Sequence, residues 1–89
     1  MNNDEDFSRE LQHIGLRIAY FRKLRKMTQA ALAEKLHINK YYLSQIECGL
    51  GNKSISLPLL IKMSKVLEVE LSALVDLDDM DRTDTSEEK

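Results

Sequence analysis

The sequence predicts an all-α fold, a compact domain of five helices. Apolar residues recur at helical spacing through most of the 89 residues, and no long stretch alternates between apolar and polar residues. One proline and three glycines are few helix breakers for such a chain. We expect an acidic, frayed N-terminus over residues 1–7, the helical domain over 8–77 and an acidic, disordered tail over 78–89.

The first two helices are predicted over residues 8–26 and 29–36, with Ser8 and Thr28 as their N-caps. His37 follows the second helix, where a residue in the left-handed conformation is expected. Glycine would fit that position better, although histidine tolerates it more than most residues do. The side chains predicted to face inward from these two helices are Leu11, Ile14, Ile18, Phe21, Leu32, Ala33 and Leu36.

The third helix is predicted to start after the cap Asn39 and to end at Gly49. A loop over residues 50–55 should lead to a fourth helix, capped by Ser56, and a short fifth helix should cover residues 71–77. The side chains predicted to complete the core are Ile38, Leu43, Ile46, Leu60, Met63, Leu67, Leu71, Leu74 and Val75.

Charge is distributed unevenly along the chain, although its net charge is only −2. Residues 9–66 contain eleven Lys or Arg and three acidic residues, whereas residues 67–89 contain nine acidic residues and two basic ones. A basic domain of this kind attracts polyanions such as nucleic acid. The alternative is that the positive charge only solvates the outer faces of the helices.

Several classes of protein are disfavoured by the sequence. A single cysteine excludes an internal disulfide and fits a reducing cytosol, and no apolar run approaches the roughly 18 residues of a membrane span. His13, His37 and Cys48 lack the spacing of a zinc site, and no nucleophile elbow or phosphate loop occurs. We expect a cytoplasmic protein with no catalytic residue, no metal and no cofactor.

The third predicted helix has the side chains of a DNA-reading helix. Its exposed face should display Lys40, Tyr41, Ser44 and Gln45. Glutamine can pair with adenine N6 and N7, lysine can donate to guanine O6 and N7, and tyrosine can contact thymine methyl groups. Each of these residues could instead be ordinary solvated surface, and Tyr41 could pack on a neighbouring helix.

The segment Gln29-Ala-x-Leu-Ala-x-Lys-Leu, followed by Ile38-Asn-Lys-x-Tyr-Leu-Ser-Gln-Ile-Glu-x-Gly, resembles the phage repressor/Cro (XRE-like) family of helix-turn-helix regulators. The resemblance extends over about residues 14–75. It implies a lambda-repressor-like DNA-binding domain with the helix-turn-helix at helices 2 and 3. The chain departs from the family pattern at His37, which replaces a turn glycine, and in a longer loop after Gly49.

The resemblance also implies roles for individual residues. Gln29, at the start of helix 2, should contact phosphate with its side chain or with backbone N–H groups, and Arg22 should form a buried or half-buried ion pair with Glu47. Tyr42 could contact phosphate or pack on a neighbouring helix. The residues expected to bind DNA are Gln29, Lys40, Tyr41, Tyr42, Ser44, Gln45, Asn52 and Lys53.

These observations predict a sequence-specific regulator of transcription, and more specifically a repressor, which binds double-stranded DNA and acts by occupying an operator. A homodimer on a pseudo-palindromic operator is expected, with helix 5 and the start of the tail as the dimer contact. The alternative is that this short, leucine-rich helix only closes the core. The alternative is a protein-interaction module, such as the antitoxin of a toxin–antitoxin pair, whose acidic tail docks a basic partner. The tail could also compete with DNA for the basic face.

Overall fold

The computed structural model describes residues 7–49 and 55–78 of the chain, and all the regular secondary structure in these ranges is helical. The prediction of an all-α fold is therefore confirmed. Within the same ranges, no helix combines the length and the apolar character needed to cross a membrane. The helices are α1 (Ser8–Leu24), α2 (Gln29–Leu36), α3 (Lys40–Cys48), α4 (Leu57–Leu67) and α5 (Leu71–Leu74). The expectations for the N-terminus and the tail fall almost entirely outside the described residues.

Three predicted N-caps are confirmed by their hydrogen bonds. Thr28 Oγ1 accepts from the amide of Ala31 at 3.0 Å, and Asn39 Oδ1 accepts from the amide of Tyr41 at 2.6 Å. Ser56 Oγ accepts from the third residue of its helix at 3.2 Å. Each such cap stabilises a helix by about 1 kcal/mol, so the starts of α2, α3 and α4 follow from local sequence.

The prediction that Ser8 caps α1 is wrong. Ser8 is the first helical residue, and Phe7 occupies the cap position without a side-chain hydrogen bond. The Phe7 carbonyl already accepts from the amide of Leu11 at 2.9 Å, so the first helical bond starts one residue earlier than expected. A hydroxyl side chain near a helix start thus did not determine which residue is the cap.

α1 also ends two residues before the predicted Lys26. Lys26 adopts the left-handed conformation, with φ 58°, and the amide of Met27 donates to the Arg22 carbonyl at 3.1 Å. This pattern closes a helix because it satisfies carbonyls of the last turn that have no helical partner. The last two basic residues of this segment, Arg25 and Lys26, therefore lie in the turn that ends α1 and not in the helix.

α5 is shorter than predicted, since it ends at Leu74 and not at residue 77. The amide of Asp78 donates to Asp76 Oδ1 at 3.0 Å, two residues back. An aspartate side chain can accept such a bond from the backbone two residues on, and this local turn lies just beyond the end of α5.

Left-handed residues follow α1, α2, α3 and α4, but Gly49 is the only glycine among these four described residues. His37 has φ 61°, as its position predicted, and Glu68 has φ 61° at the end of α4. After α2 the amide of Ile38 donates a hydrogen bond to the Ala33 carbonyl at 3.0 Å. The chain thus reverses tightly after these helices, at some backbone strain in the non-glycine positions.

The core lies where the five helices meet, and most of the predicted inward-facing residues line it. The fully buried large side chains are Ile18, Leu32, Leu43, Met63, Leu67 and Leu74. At Gly15, α1 approaches α3 so closely that a Cβ would overlap the carbonyl oxygen of Ile46. One side of α3 is therefore committed to α1 and the core, which leaves its other side for solvent or a partner.

Replacing His37 with Gly is expected to raise the free energy of unfolding by about 0.5–1 kcal/mol. The left-handed conformation costs a residue with a side chain roughly 1–2 kcal/mol, and the larger unfolded-state entropy of glycine offsets part of the gain. Urea denaturation measures the change. The reciprocal control, Gly49→Ala, should lower stability, because its φ is 71° and its Cβ would press on Gln12. A less stable His37→Gly variant would contradict the strain argument.

Candidate nucleic-acid interface

The outward side of α3 carries the four residues predicted for base reading. Lys40 is exposed, Tyr41 is 72% exposed, and Ser44 and Gln45 are half-buried. Leu43, on the opposite side of the helix, is fully buried. The apolar contacts of one side thus determine which polar side chains face out on the other.

The N-terminal ends of α2 and α3 lie together and form an open groove. Its lining residues are Gln29, Asn39, Lys40, Tyr41 and Ser44. Asn39 was predicted only as a helix cap, and the structure adds it to the groove. Helix capping already accounts for an asparagine at this position, so the sequence alone does not indicate a second role. The signal that could have found it is its position at the N-terminal end of the reading helix.

The first turn of α2 can hold an anion. The amide of Ala31 is taken by Thr28, whereas the amides of Gln29 and Ala30 precede the first residue that can find an acceptor within the helix. The partial positive charge of the helix N-terminus adds to these donors. A phosphate oxygen is the natural ligand for such a turn.

The structure brings Arg22 and Glu47 together in a two-point contact. Arg22 Nε lies 2.7 Å from Glu47 Oε2, and Arg22 Nη2 donates to Glu47 Oε1 at 3.0 Å. The third guanidinium nitrogen, Nη1, donates to the Met27 carbonyl at 2.8 Å. The side chains are only 10% and 4% exposed, so the pair is shielded from water. It ties α1 to the end of α3 and to the turn before α2.

Gln29 joins the same carboxylate. Its Nε2 donates to Glu47 Oε1 at 2.9 Å, a contact that sequence reasoning missed because it joins residues 18 positions apart. The side chain expected to meet phosphate is therefore held from the inside by Glu47. One amide hydrogen and the amide oxygen of Gln29 remain for other partners.

The other predicted DNA contacts are placed differently. Tyr42 is half-buried and packs against the core, which is the packing role that the sequence left open. Asn52 and Lys53 lie outside the described residues, so their expected phosphate contacts stay predictions.

Part of the basic charge serves the fold. Lys62 Nζ donates to the Leu36 carbonyl at the end of α2 at 3.1 Å, and Arg25 Nε donates to the Leu67 carbonyl at the end of α4 at 2.8 Å. Arg17 Nε donates to the Ala73 carbonyl in α5. Cations at helix C-termini satisfy unpaired carbonyls and oppose the negative end of the helix dipole. The charge count of residues 9–66 thus overstates the charge available to a polyanion.

The described residues contain no group of three or more His, Cys, Asp or Glu side chains placed to hold a metal ion. Cys48, on the outer side of α3, is exposed and unpaired in that part of the chain. The groove is lined by hydrogen-bonding side chains, an aromatic ring and a lysine, a set of groups suited to binding a polyanion.

Residues 18–74 match the helix-turn-helix domain family. Among curated proteins, the immunity repressor of Bacillus phage phi105 is 40% identical over 62 residues, which cover 70% of this chain and 42% of the repressor. The chain thus corresponds to less than half the length of that relative.

Three solved structures, of two regulators, are also similar. SinR, the master regulator for biofilm formation, was solved in complex with DNA; it has 41% identity and a TM-score of 0.63, over 68% of this chain and 95% of that chain. SinR's N-terminal DNA-binding domain from Bacillus subtilis has 40% identity. The clp gene regulator ClgR from Corynebacterium glutamicum has 26% identity and a TM-score of 0.76, over 94% of this chain and 87% of that chain.

Truncating Glu47 to Ala is expected to lower the free energy of unfolding by about 3–5 kcal/mol, because it leaves the Arg22 charge buried without its partner. The paired change Arg22→Met with Glu47→Leu should recover most of that loss, since apolar residues of similar size remove both charges together. Urea denaturation of the wild type and these two variants measures the difference. If the double variant were as unstable as Glu47→Ala, an unpaired charge would not be the cause.

Proposed function

Because the chain belongs to the helix-turn-helix family, we propose that it is a sequence-specific, double-stranded DNA-binding regulator of transcription, which represses by occupying an operator. The observation that carries the proposal is the groove between the N-terminal ends of α2 and α3, which combines anion-binding amides with outward-facing polar side chains. The phage relative is an immunity repressor and SinR was solved in complex with DNA, which supports a DNA-binding regulator and not an enzyme.

In this proposal α3 enters the major groove and α2 crosses the phosphate backbone. Gln45 pairs with adenine N6 and N7, and Lys40 donates to guanine O6 and N7. The first turn of α2 meets a phosphate and sets the register of α3 along the groove. Tyr41, largely exposed beside them, is available to a thymine methyl group or a backbone oxygen. The bacterial or phage-host nucleoid, in the cytoplasm, is the corresponding location.

The proposal includes a homodimer on a pseudo-palindromic operator, because one small module buries little DNA surface. In the structure α5 itself closes the core, whereas Leu77, within the predicted range of helix 5, is exposed, so the expected contact through this region stays a prediction. Leu74 is fully buried, and Leu71 and Val75 are half-buried against the core. The exposed apolar side chains on longer helices are Leu16, Tyr20 and Leu24 on α1 and Leu57 and Ile61 on α4. A protein partner for the acidic tail stays a prediction, since residues 79–89 are outside the described ranges.

Gln45→Ala is expected to reduce discrimination between operator and random DNA by roughly 1–3 kcal/mol, because a paired hydrogen bond to one base is lost. Fluorescence anisotropy with both duplexes at one salt concentration gives the ratio of affinities. Gln12→Ala, on the exposed side of α1, is the matched control and should leave the ratio unchanged. An unchanged ratio for Gln45→Ala would remove this residue from base reading.

The protein–operator complex is expected to contain two chains, with half-sites centred about 10–10.5 base pairs apart or a multiple of that spacing. The spacing follows from two copies of α3 reaching successive turns of the same face of DNA. Light scattering of the purified complex gives the stoichiometry, and a duplex with one half-site serves as the control. A single chain bound at full affinity to the complete operator would contradict the dimer.

A further inference from the structure

We propose that Glu47 is a positioning residue for Gln29, and that it orients the Gln29 amide so that a hydrogen-bond donor faces a DNA phosphate. The inference rests on the proposed function and adds to it how one contact is arranged before DNA arrives. It assigns Glu47 a role in binding beyond its ion pair with Arg22.

The Glu47 carboxylate is a fixed acceptor. The residue is 5% exposed, and its two oxygens receive three donors: Arg22 Nε at 2.7 Å, Arg22 Nη2 at 3.0 Å and Gln29 Nε2 at 2.9 Å. Arg22 is itself held by the Met27 carbonyl at 2.8 Å. Rotating the carboxylate would break several of these bonds at once in a site with little water. Its position is therefore set by the fold.

A carboxylate can only accept hydrogen bonds, so it selects one end of the Gln29 amide. The nitrogen must face Glu47, because the amide oxygen would be repelled by the negative charge. That nitrogen carries a second hydrogen, which the Glu47 contact does not use. An unrestrained glutamine presents its oxygen as readily as its nitrogen, and an oxygen facing phosphate would weaken binding.

The oriented amide belongs to a residue that lines the proposed phosphate-binding groove. Gln29 lines this groove with Lys40 and Tyr41 while its amide nitrogen donates to Glu47, so we expect the second amide hydrogen to be within reach of a phosphate there. Its backbone amide and that of Ala30 are donors in the same first turn of α2. One side chain thus connects the buried ion pair with the surface that meets DNA.

Holding this side chain in place removes an ordering cost from binding. Immobilising one long side chain on association weakens affinity by roughly 2–10-fold, and here the fold has already immobilised it. A purely structural role makes a different prediction. If Gln29 only braced the ion pair, its removal would lower stability and leave DNA affinity unchanged in a folded protein.

A double-mutant cycle tests the inference. Affinities of the wild type, Gln29→Ala, Glu47→Gln and the double variant are measured by anisotropy, with operator and random duplexes at one salt concentration. In the wild-type background, Gln29→Ala should weaken the affinity for both duplexes alike by roughly 10-fold, because a hydrogen bond to a charged phosphate is lost. In the Glu47→Gln background the same change should cost at most about 2-fold, since a neutral amide at position 47 donates as well as accepts and no longer selects one orientation.

The outcomes separate this inference from the proposed function. Equal losses in the two backgrounds, or no loss from Gln29→Ala in the wild type, would overturn the positioning role while DNA binding by the wild type stood. A wild type that bound neither duplex would overturn the proposed function itself. Gln12→Ala is the matched control and should behave as the wild type in both backgrounds.

A second measurement serves if Glu47→Gln does not fold. Nitrogen-15 relaxation of the side-chain amides in the free wild-type protein should give Gln29 an order parameter of about 0.85, the value of a rigid backbone. Exposed Gln12 should give an order parameter below about 0.6. The contact between Gln29 and Glu47 should persist in the DNA complex. A mobile Gln29 amide in the free protein, or loss of this contact in the complex, would overturn the inference.

Discussion

The buried Glu47 carboxylate is the contact on which the arrangement of the domain depends. Glu47 belongs to α3, and its carboxylate binds Arg22 of α1 and Gln29 at the start of α2, so it connects three helices. A buried charge is costly unless it is paired and hydrogen-bonded, and the three hydrogen bonds to the Glu47 oxygens from Arg22 and Gln29 are all 3.0 Å or shorter. Such a contact specifies orientation more surely than it adds stability, because an apolar core of equal volume would also be stable.

Orientation matters here because the proposed function requires two helix ends to face the same ligand. The first turn of α2 and the outer side of α3 line one groove, and their relative angle decides whether phosphate and base edges can be reached together. Close packing at Gly15 sets the distance between α1 and α3, and the Glu47 contacts set their rotation. The fold and the proposed binding surface thus share the same constraints.

Positive charge in the chain has two uses. Arg17, Arg25 and Lys62 reach across to the carboxyl ends of other helices, where they satisfy backbone carbonyls. Lys40 instead lies at the proposed DNA surface. A count of basic residues cannot separate these uses, because the distinction depends on which helix end each side chain can reach.

Features of local origin could be predicted from the sequence. The caps Thr28, Asn39 and Ser56 and the left-handed His37 depend on a few neighbouring residues, and helical spacing predicted most of the core. The left-handed Lys26 and Glu68 could not be predicted, since neither residue type favours that conformation, although local backbone bonds close both helix ends there. The bond between Gln29 and Glu47 could not be predicted either, because it requires the angle between two helices.

The most direct test of the central claim is a map of backbone amide chemical shifts as the protein is titrated with a duplex selected from random DNA. We expect the largest changes at residues 28–31 and 40–45, which include the first turn of α2 and the exposed side chains of α3. Changes concentrated on the outer side of α1, around Leu16 and Tyr20, would contradict it, as would the failure of any duplex to be enriched.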